Sequence, residues 1–141
     1  MAWKVTRIKT WAASIEDKPG ALADKLTALA KAGASLEFAL ARRAPEKPGT
    51  GVVFVTPLKG AAQLRAAKAT GFQTIGRVHG VRVEAPNMKG VGACLTHRLA
   101  AAGINLRAFS AVGRGKQAVI YLAFDKAADA AAAVRALKKP R

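Results

Sequence analysis

Hydrophobic and polar positions follow the same succession of patterns twice along the chain. Each copy opens with a short alternating run, typical of a half-buried strand, and continues through a polar turn into a helix with an apolar face. A glycine in the usual C-terminal position then ends each helix. The matching features are the runs 11–15 and 81–85, the turn glycines Gly20 and Gly90, and the helix-ending glycines Gly33 and Gly103.

The two copies align at a constant offset of 70 positions, which indicates an internal duplication. Ala32-Gly33-Ala34-Ser35-Leu36 lies opposite Ala102-Gly103-Ile104-Asn105-Leu106 at this offset. Farther on, Val53-Phe54-Val55 lies opposite Ile120-Tyr121-Leu122 after a shortening of three residues. The shortening falls between two strand-like runs, where a loop tolerates deletion.

After the first helix, each copy continues with two strands joined as a hairpin and then a second helix. The expected strands cover residues 36–42, 52–56, 106–112 and 118–124, the second helices cover 61–69 and 126–138, and an extended run over 72–78 closes the first copy. The order β-α-β-β-α-β is the ferredoxin-like arrangement. We therefore expect an α+β protein with two such modules in tandem, residues 1–78 and 79–141.

The second copy has no candidate for a fourth strand, because the chain stops directly after the second helix. An unpaired central edge would invite association with other chains. We expect the N-terminal run Trp3 to Lys9, or a partner chain, to supply the missing strand.

The formal net charge is +16, from 24 basic and 8 acidic residues. Such a field attracts nucleic acid, anionic membranes or acidic small molecules. The excess is spread evenly, since residues 1–78 carry 13 basic and 5 acidic residues and residues 79–141 carry 11 and 3. This even spread weakens the nucleic-acid hypothesis, which favours a concentrated basic stripe.

Few residues suggest catalysis, metal binding or export. Cys94 is the single cysteine, so no disulfide can form within the chain. Cys94 and His97 can share a helix face, but two ligands do not make a zinc site, and Cys94 alone is typical of a small core residue. No run resembles a signal peptide or is long enough to span a bilayer. We expect a cytoplasmic, non-enzymatic protein without metal or cofactor.

The turn and helix motifs resemble those of ACT domains. An ACT domain opens with a strand, a turn ending in Pro-Gly, a helix, then Ala-Gly and a second strand. The first copy is similar to this opening over Ile15-Glu16-Asp17-Lys18-Pro19-Gly20-Ala21-Leu22-Ala23, followed by Leu29 to Leu36. Asn87-Met88-Lys89-Gly90-Val91 with Ala102 to Leu106 is similar, although Lys89 stands where proline is usual and Gly92 where leucine is usual. The resemblance extends from about Lys9 to Leu137.

This resemblance implies a regulatory protein that binds an amino acid or another small effector and forms at least a homodimer. ACT ligands commonly lie at the interface between paired ACT domains, against the loop between the first strand and first helix, where free N–H groups and the helix dipole suit a carboxylate. The implied ligand-binding residues are Asn87, Gly90, Val91 and Asn105 in the second copy, and Asp17, Gly20, Ala21 and Ser35 in the first.

Each of these assignments has a purely structural alternative. Asn87 can cap the helix or complete the turn, and Asn105 can occupy a left-handed conformation after Gly103. Two other functions also remain open for the chain: a basic nucleic-acid-binding protein on the same fold, motivated by the charge, and a small enzyme, motivated only by Cys94 and His97.

Overall fold

The computed structural model describes residues 3–74 and 78–138. Its elements, in chain order, are β1 (Lys4–Ile8), β2 (Trp11–Glu16), α1 (Ala21–Lys31), β3 (Phe38–Arg43), β4 (Thr50–Thr56), α2 (Gly60–Ala69), β5 (Gln73–Thr74), β6 (His79–Pro86), α3 (Val91–Ala101), β7 (Ala108–Arg114), β8 (Gln117–Phe124) and α4 (Ala127–Lys138). They form two α+β units, each with a four-stranded antiparallel sheet and two helices, which confirms the expected fold class.

One unit is a single stretch of chain, Lys9–Ile75, called the continuous unit below. Its strands lie in the order β3-β4-β2-β5, which is the ferredoxin-like order. Ala13, Val53 and Val55 project from one face of this sheet and pack with residues of both helices, including the fully buried Leu29. The alternation seen in the sequence therefore places the apolar side chains under α1 and α2.

The other unit, called the two-segment unit below, combines Met1–Ile8 with Gly76–Arg141. Its strands lie in the order β1-β6-β8-β7, and α3 and α4 cover one face. Aliphatic side chains dominate the core beneath the helices, with Phe124 as the one fully buried aromatic ring of this cluster among the described residues.

Strand β1 occupies the position that a fourth strand takes in a ferredoxin-like sheet. It pairs antiparallel with β6, from Lys4 opposite Glu84 to Ile8 opposite Gly80, and its Val5 is only 3% exposed. The N-terminal run therefore supplies the strand that the second copy lacks. The expected division into 1–78 and 79–141 differs from the two compact units mainly by this strand, because pairing with β6 and burial of Val5 join it to the C-terminal part of the chain; the second boundary falls after Ile75 and not after residue 78.

Element boundaries differ from the expected ones mainly at the strands that follow the first helix of each copy. These strands begin at Phe38 and Ala108, two residues later than expected, because Leu36 and Leu106 pack against the cores from the connecting segments. Of the expected closing run 72–78, only Gln73–Thr74 forms a strand, while residues 75–77 lie outside the described residues.

Candidate ligand-binding site

Each unit has a corner where its first core strand turns into its first helix. The first corner is Glu16–Ala21 and the second corner is Pro86–Val91. Gly20 has φ +89° and Gly90 has φ +83°, the left-handed region that glycine enters without strain. A Cβ at either glycine would meet no atom within 4 Å, so the space beside both helix starts is open.

The first turn of each of these helices leaves backbone N–H groups without an intrahelical acceptor. The first helical bonds run from Asp24 N–H to the Gly20 carbonyl and from Cys94 N–H to the Gly90 carbonyl, both at 2.9 Å. The N–H groups of the second and third helical residues precede these bonds, and no side chain caps either helix. Both corners therefore have the donors and the positive end of the helix dipole that a carboxylate requires.

The two corners share the same backbone hydrogen bonds despite their different sequences. Asp17 N–H donates to the Gly49 carbonyl at 3.0 Å, and Asn87 N–H donates to the Lys116 carbonyl at 2.9 Å. The first bond joins its corner to the hairpin between β3 and β4, and the second joins its corner to the hairpin between β7 and β8. Lys89 in place of proline leaves this turn unchanged, since the matching bonds within the corners are all present.

The Asn87 side chain holds the hairpin of the two-segment unit. Its Nδ2 donates to the Gly115 carbonyl at 2.9 Å, and the amide lies so close to Gly113 that a Cβ there would be 2.9 Å from Nδ2. This bond uses an amide N–H, and the Oδ1 oxygen is the acceptor that a ligand ammonium group would need. Asn87 is exposed, so the amide is also accessible.

The first corner is occupied by ion pairs of its own. Arg43 Nε donates to Asp17 Oδ2 at 2.9 Å, and Lys18 Nζ lies 2.7 Å from Glu16 Oε2. The hydrogen bond to Lys18, and after it the positive charge of Lys18, lower the pKa of Glu16. The same hydrogen bond, and after it the negative charge of Glu16, raise the pKa of Lys18. The carboxylates of Glu16 and Asp17 at this corner repel any further negative group, such as a ligand carboxylate.

The second corner carries no acidic residue between Pro86 and Val91. Its exposed Lys89 is joined by Arg114 and Lys116 of the tethered hairpin. An anionic group therefore meets a more favourable field at the second corner than at the first.

Ala21 and Val91 begin the two helices, and their N–H groups already donate to the carbonyls of Lys18 at 3.4 Å and Met88 at 3.1 Å. Of the predicted site residues, the corner residues of each unit are thus brought together: Asp17, Gly20 and Ala21 in one, Asn87, Gly90 and Val91 in the other.

Asn105 and Ser35 lie at the opposite ends of their units from the corners. Asn105 is exposed and precedes β7, whose first residue pairs with Ala123, whereas Asn87 adjoins the hairpin tip at the other end of β7. Seven strand residues separate the two ends, which is about 20 Å. Ser35 stands in the same relation to Asp17. One small ligand cannot contact both members of either pair within one unit.

An aromatic contact beside the second corner was not foreseen from the sequence. The ring of Phe109, 43% exposed on β7, lies 3.6 Å from where a Cβ at Gly92 would be. At the same offset of 70, the continuous unit has Leu22 on the helix and Ala39 on the strand. Leucine on the helix and alanine on the strand are thus replaced by glycine and phenylalanine, so the strand supplies the apolar bulk that the helix lost. In the sequence, only the glycine at position 92, where the first copy has leucine, could have indicated this contact.

No described helix is long and apolar enough to cross a membrane. Across residues 3–74 and 78–138, no three or more His, Cys, Asp or Glu side chains gather as metal ligands would. Cys94 is half-buried on α3.

No family model and no curated protein matches this chain. Several solved structures match its fold. Protein BT0572 from Bacteroides thetaiotaomicron has a TM-score of 0.77 and 16% identity, covering 93% of this chain and 88% of that one. The ligand-free regulatory subunit of aspartate kinase from Thermus thermophilus has a TM-score of 0.65 and 19% identity, covering 97% and 95%. A structure of aspartokinase alpha and beta subunits gives 0.60 and 17%, covering 96% and 97%.

These identities are low, so the likeness is one of fold. The chain is built from two ferredoxin-like units, a fold shared with the regulatory subunit of aspartate kinase from Thermus thermophilus.

Proposed function

We propose that this protein is a regulatory protein that binds a small molecule, an amino acid, at the second corner. The carrying observation is the start of α3, where no side chain caps the first N–H groups, the space beside Gly90 is open, and three basic side chains lie on the corner and its hairpin. The ligand carboxylate binds the free N–H groups of the helix, and its ammonium group binds Asn87 Oδ1.

The first corner is the weaker candidate, because it carries the carboxylates of Glu16 and Asp17, which repel a ligand carboxylate. Asp17, Gly20 and Ala21 therefore serve mainly to shape the turn. Asn105 and Ser35 lie too far from the corners of their own units to join the same site.

Thermal unfolding in the presence of each of the twenty amino acids tests the proposal. A ligand that binds only the folded state stabilises it by about 2.7 kcal/mol at a hundredfold excess over Kd. We expect one chemical class of amino acid to raise the midpoint, Asn87→Ala to abolish that rise, and Asn105→Ala to retain it. Each rise is measured from the variant's own midpoint without ligand, since Asn87→Ala also loses a hydrogen bond to the hairpin.

Charge reversal separates the two corners. Lys89→Glu places a carboxylate in front of α3 and is expected to weaken binding, whereas the matched change Lys18→Glu at the first corner leaves binding unchanged. A loss with Lys18→Glu alone would move the site to the first corner. If no amino acid binds, but DNA or RNA does with a steep salt dependence, the protein is instead a nucleic-acid-binding protein that uses its +16 charge.

We further propose that the protein acts as a homodimer through β7. This strand lies at an edge of its sheet and exposes Val112 at 57%. A second copy pairing there would extend the sheet and cover the exposed strand. Light scattering is expected to show a monomer for Val112→Lys. The control Thr6→Lys, on the other edge strand of this sheet, β1, is expected to leave the dimer intact. A dimer that survives Val112→Lys contradicts this interface.

A further inference from the structure

The chain enters and leaves the continuous unit at positions that are neighbours in its sheet. Trp11 of β2 pairs with Thr74 of β5, close to the two ends of that unit. In the two-segment unit, the strands that flank the insertion are also neighbours, since Ile8 of β1 pairs with Gly80 of β6. The continuous unit is therefore inserted between two paired strands, and its own pairing holds its ends together.

This arrangement sets the length of the loop that must close when β1 docks on β6. With the continuous unit unfolded, the path from Ile8 to Gly80 runs along about 70 residues of chain. With that unit folded, the pairing of Trp11 with Thr74 shortens the path to about nine residue-to-residue steps, from 8 to 11 and from 74 to 80. Closure probability scales as the inverse three-halves power of loop length, so the shorter loop favours docking about 20-fold.

We propose that the two units are coupled through this chain closure: folding of residues 9–75 raises the equilibrium constant for docking β1 about 20-fold, without any contact being required. The coupling is reciprocal, so docked β1 favours the folded continuous unit by the same factor. A ligand that stabilises either unit thereby suppresses local opening of the other.

Docking of β1 matters to the two-segment unit because the N-terminal segment contacts both the core and helix α3. Val5 is buried in the core. The guanidinium carbon of Arg98, on α3, lies over the ring of Trp3, 4.8 Å from the ring centroid. Arg98 Nη1 also donates to the Leu137 carbonyl at the end of α4, at 3.2 Å. Undocking β1 thus exposes Val5 and removes Trp3 from Arg98, the residue that joins α3 to the end of α4.

The chain contains two tryptophans, one in each unit, and each packs against its own core. Trp3 fluorescence in a Trp11→Phe background therefore reports the two-segment unit. Val53→Asp, at a fully buried position, places an unpaired carboxylate in the core of the continuous unit and unfolds it. Ala61→Asp introduces the same charge at an exposed position of α2 and serves as the control.

Urea unfolding followed by Trp3 is expected to show an equilibrium constant about 20-fold less favourable in Val53→Asp than in Ala61→Asp. Inserting 20 Gly and Ser residues between Lys9 and Thr10 lengthens the closing loop with the continuous unit folded. This insertion alone is expected to weaken the two-segment unit about 6-fold and to reduce the effect of Val53→Asp to about 6-fold. Equal stability of Val53→Asp and Ala61→Asp, or an insertion without effect, would overturn the proposal.

Discussion

Replacing Val5 with alanine tests whether β1 belongs to the core of the two-segment unit. Val5 is 3% exposed and packs in the cluster that includes Val83 and Leu137. Removing two buried methyl groups costs about 1.6 kcal/mol at about 0.8 kcal/mol per group, and the remaining cavity raises the loss to about 2 kcal/mol. Thr6→Ala changes the next, exposed residue of the same strand and is expected to alter stability by less than about 0.5 kcal/mol.

Single-tryptophan variants assign this loss to one unit. In the Trp11→Phe background, Trp3 fluorescence is expected to show the loss of about 2 kcal/mol in urea unfolding of Val5→Ala. In the Trp3→Phe background, Trp11 follows the continuous unit, whose core does not include Val5. A larger loss reported by Trp11 than by Trp3, or no loss reported by Trp3, would refute the assignment of β1 to the sheet of β6.

Two further predictions concern the two-segment unit. The effects of Gly92→Leu and Phe109→Ala on the free energy of unfolding are expected to deviate from additivity by about 0.5–3 kcal/mol. The leucine collides with the ring of Phe109, whereas the double variant has leucine on the helix and alanine on the strand, as at the equivalent positions of the continuous unit. Additive effects would contradict a shared contact. The hydrogen bond from Arg82, opposed by burial and aided by the neighbouring charges, lowers the pKa of Glu84 below its usual value of 4.5. A pKa lowered by folding stabilises the fold above the unfolded-state pKa, so Glu84→Gln is expected to be less stable than the wild type at pH 7 and to converge with it as the pH falls through the lowered folded-state pKa of Glu84. A difference that does not shrink as the pH falls below the usual value of 4.5 would contradict this origin.

The duplication made most of the fold predictable. Periodic apolar residues and the glycines at positions 20, 33, 90 and 103 mark both corners and both helix ends, because few other residues adopt a positive φ without strain. From the sequence, the missing fourth strand of the second copy could be assigned only to the N-terminal run or to a partner chain. Strand pairing depends on long-range register, which a five-residue run with one buried valine does not encode locally.

The candidate site was predicted in part. The corner residues follow from the glycine turn and the helix start, which are local. The separation of Asn87 from Asn105 depends on chain direction: α3 carries the chain from one end of the sheet to the other, so residues flanking the helix lie at opposite ends. The replacement of Leu22 and Ala39 by Gly92 and Phe109 joins residues 17 positions apart, and the contact between them requires the packed structure.

Strand β1 also imposes an order on biosynthesis. It leaves the ribosome before the other strands of its sheet, and its pairing partner β6 is translated only after the whole continuous unit, a delay of about 4–15 s at about 5–20 residues per second. By the end of that interval residues 9–75 have all the strands of their own sheet, whereas β1 still lacks its partner. Lys4 and Arg7, both exposed in the finished sheet, give the waiting strand a charge that discourages pairing with other nascent chains.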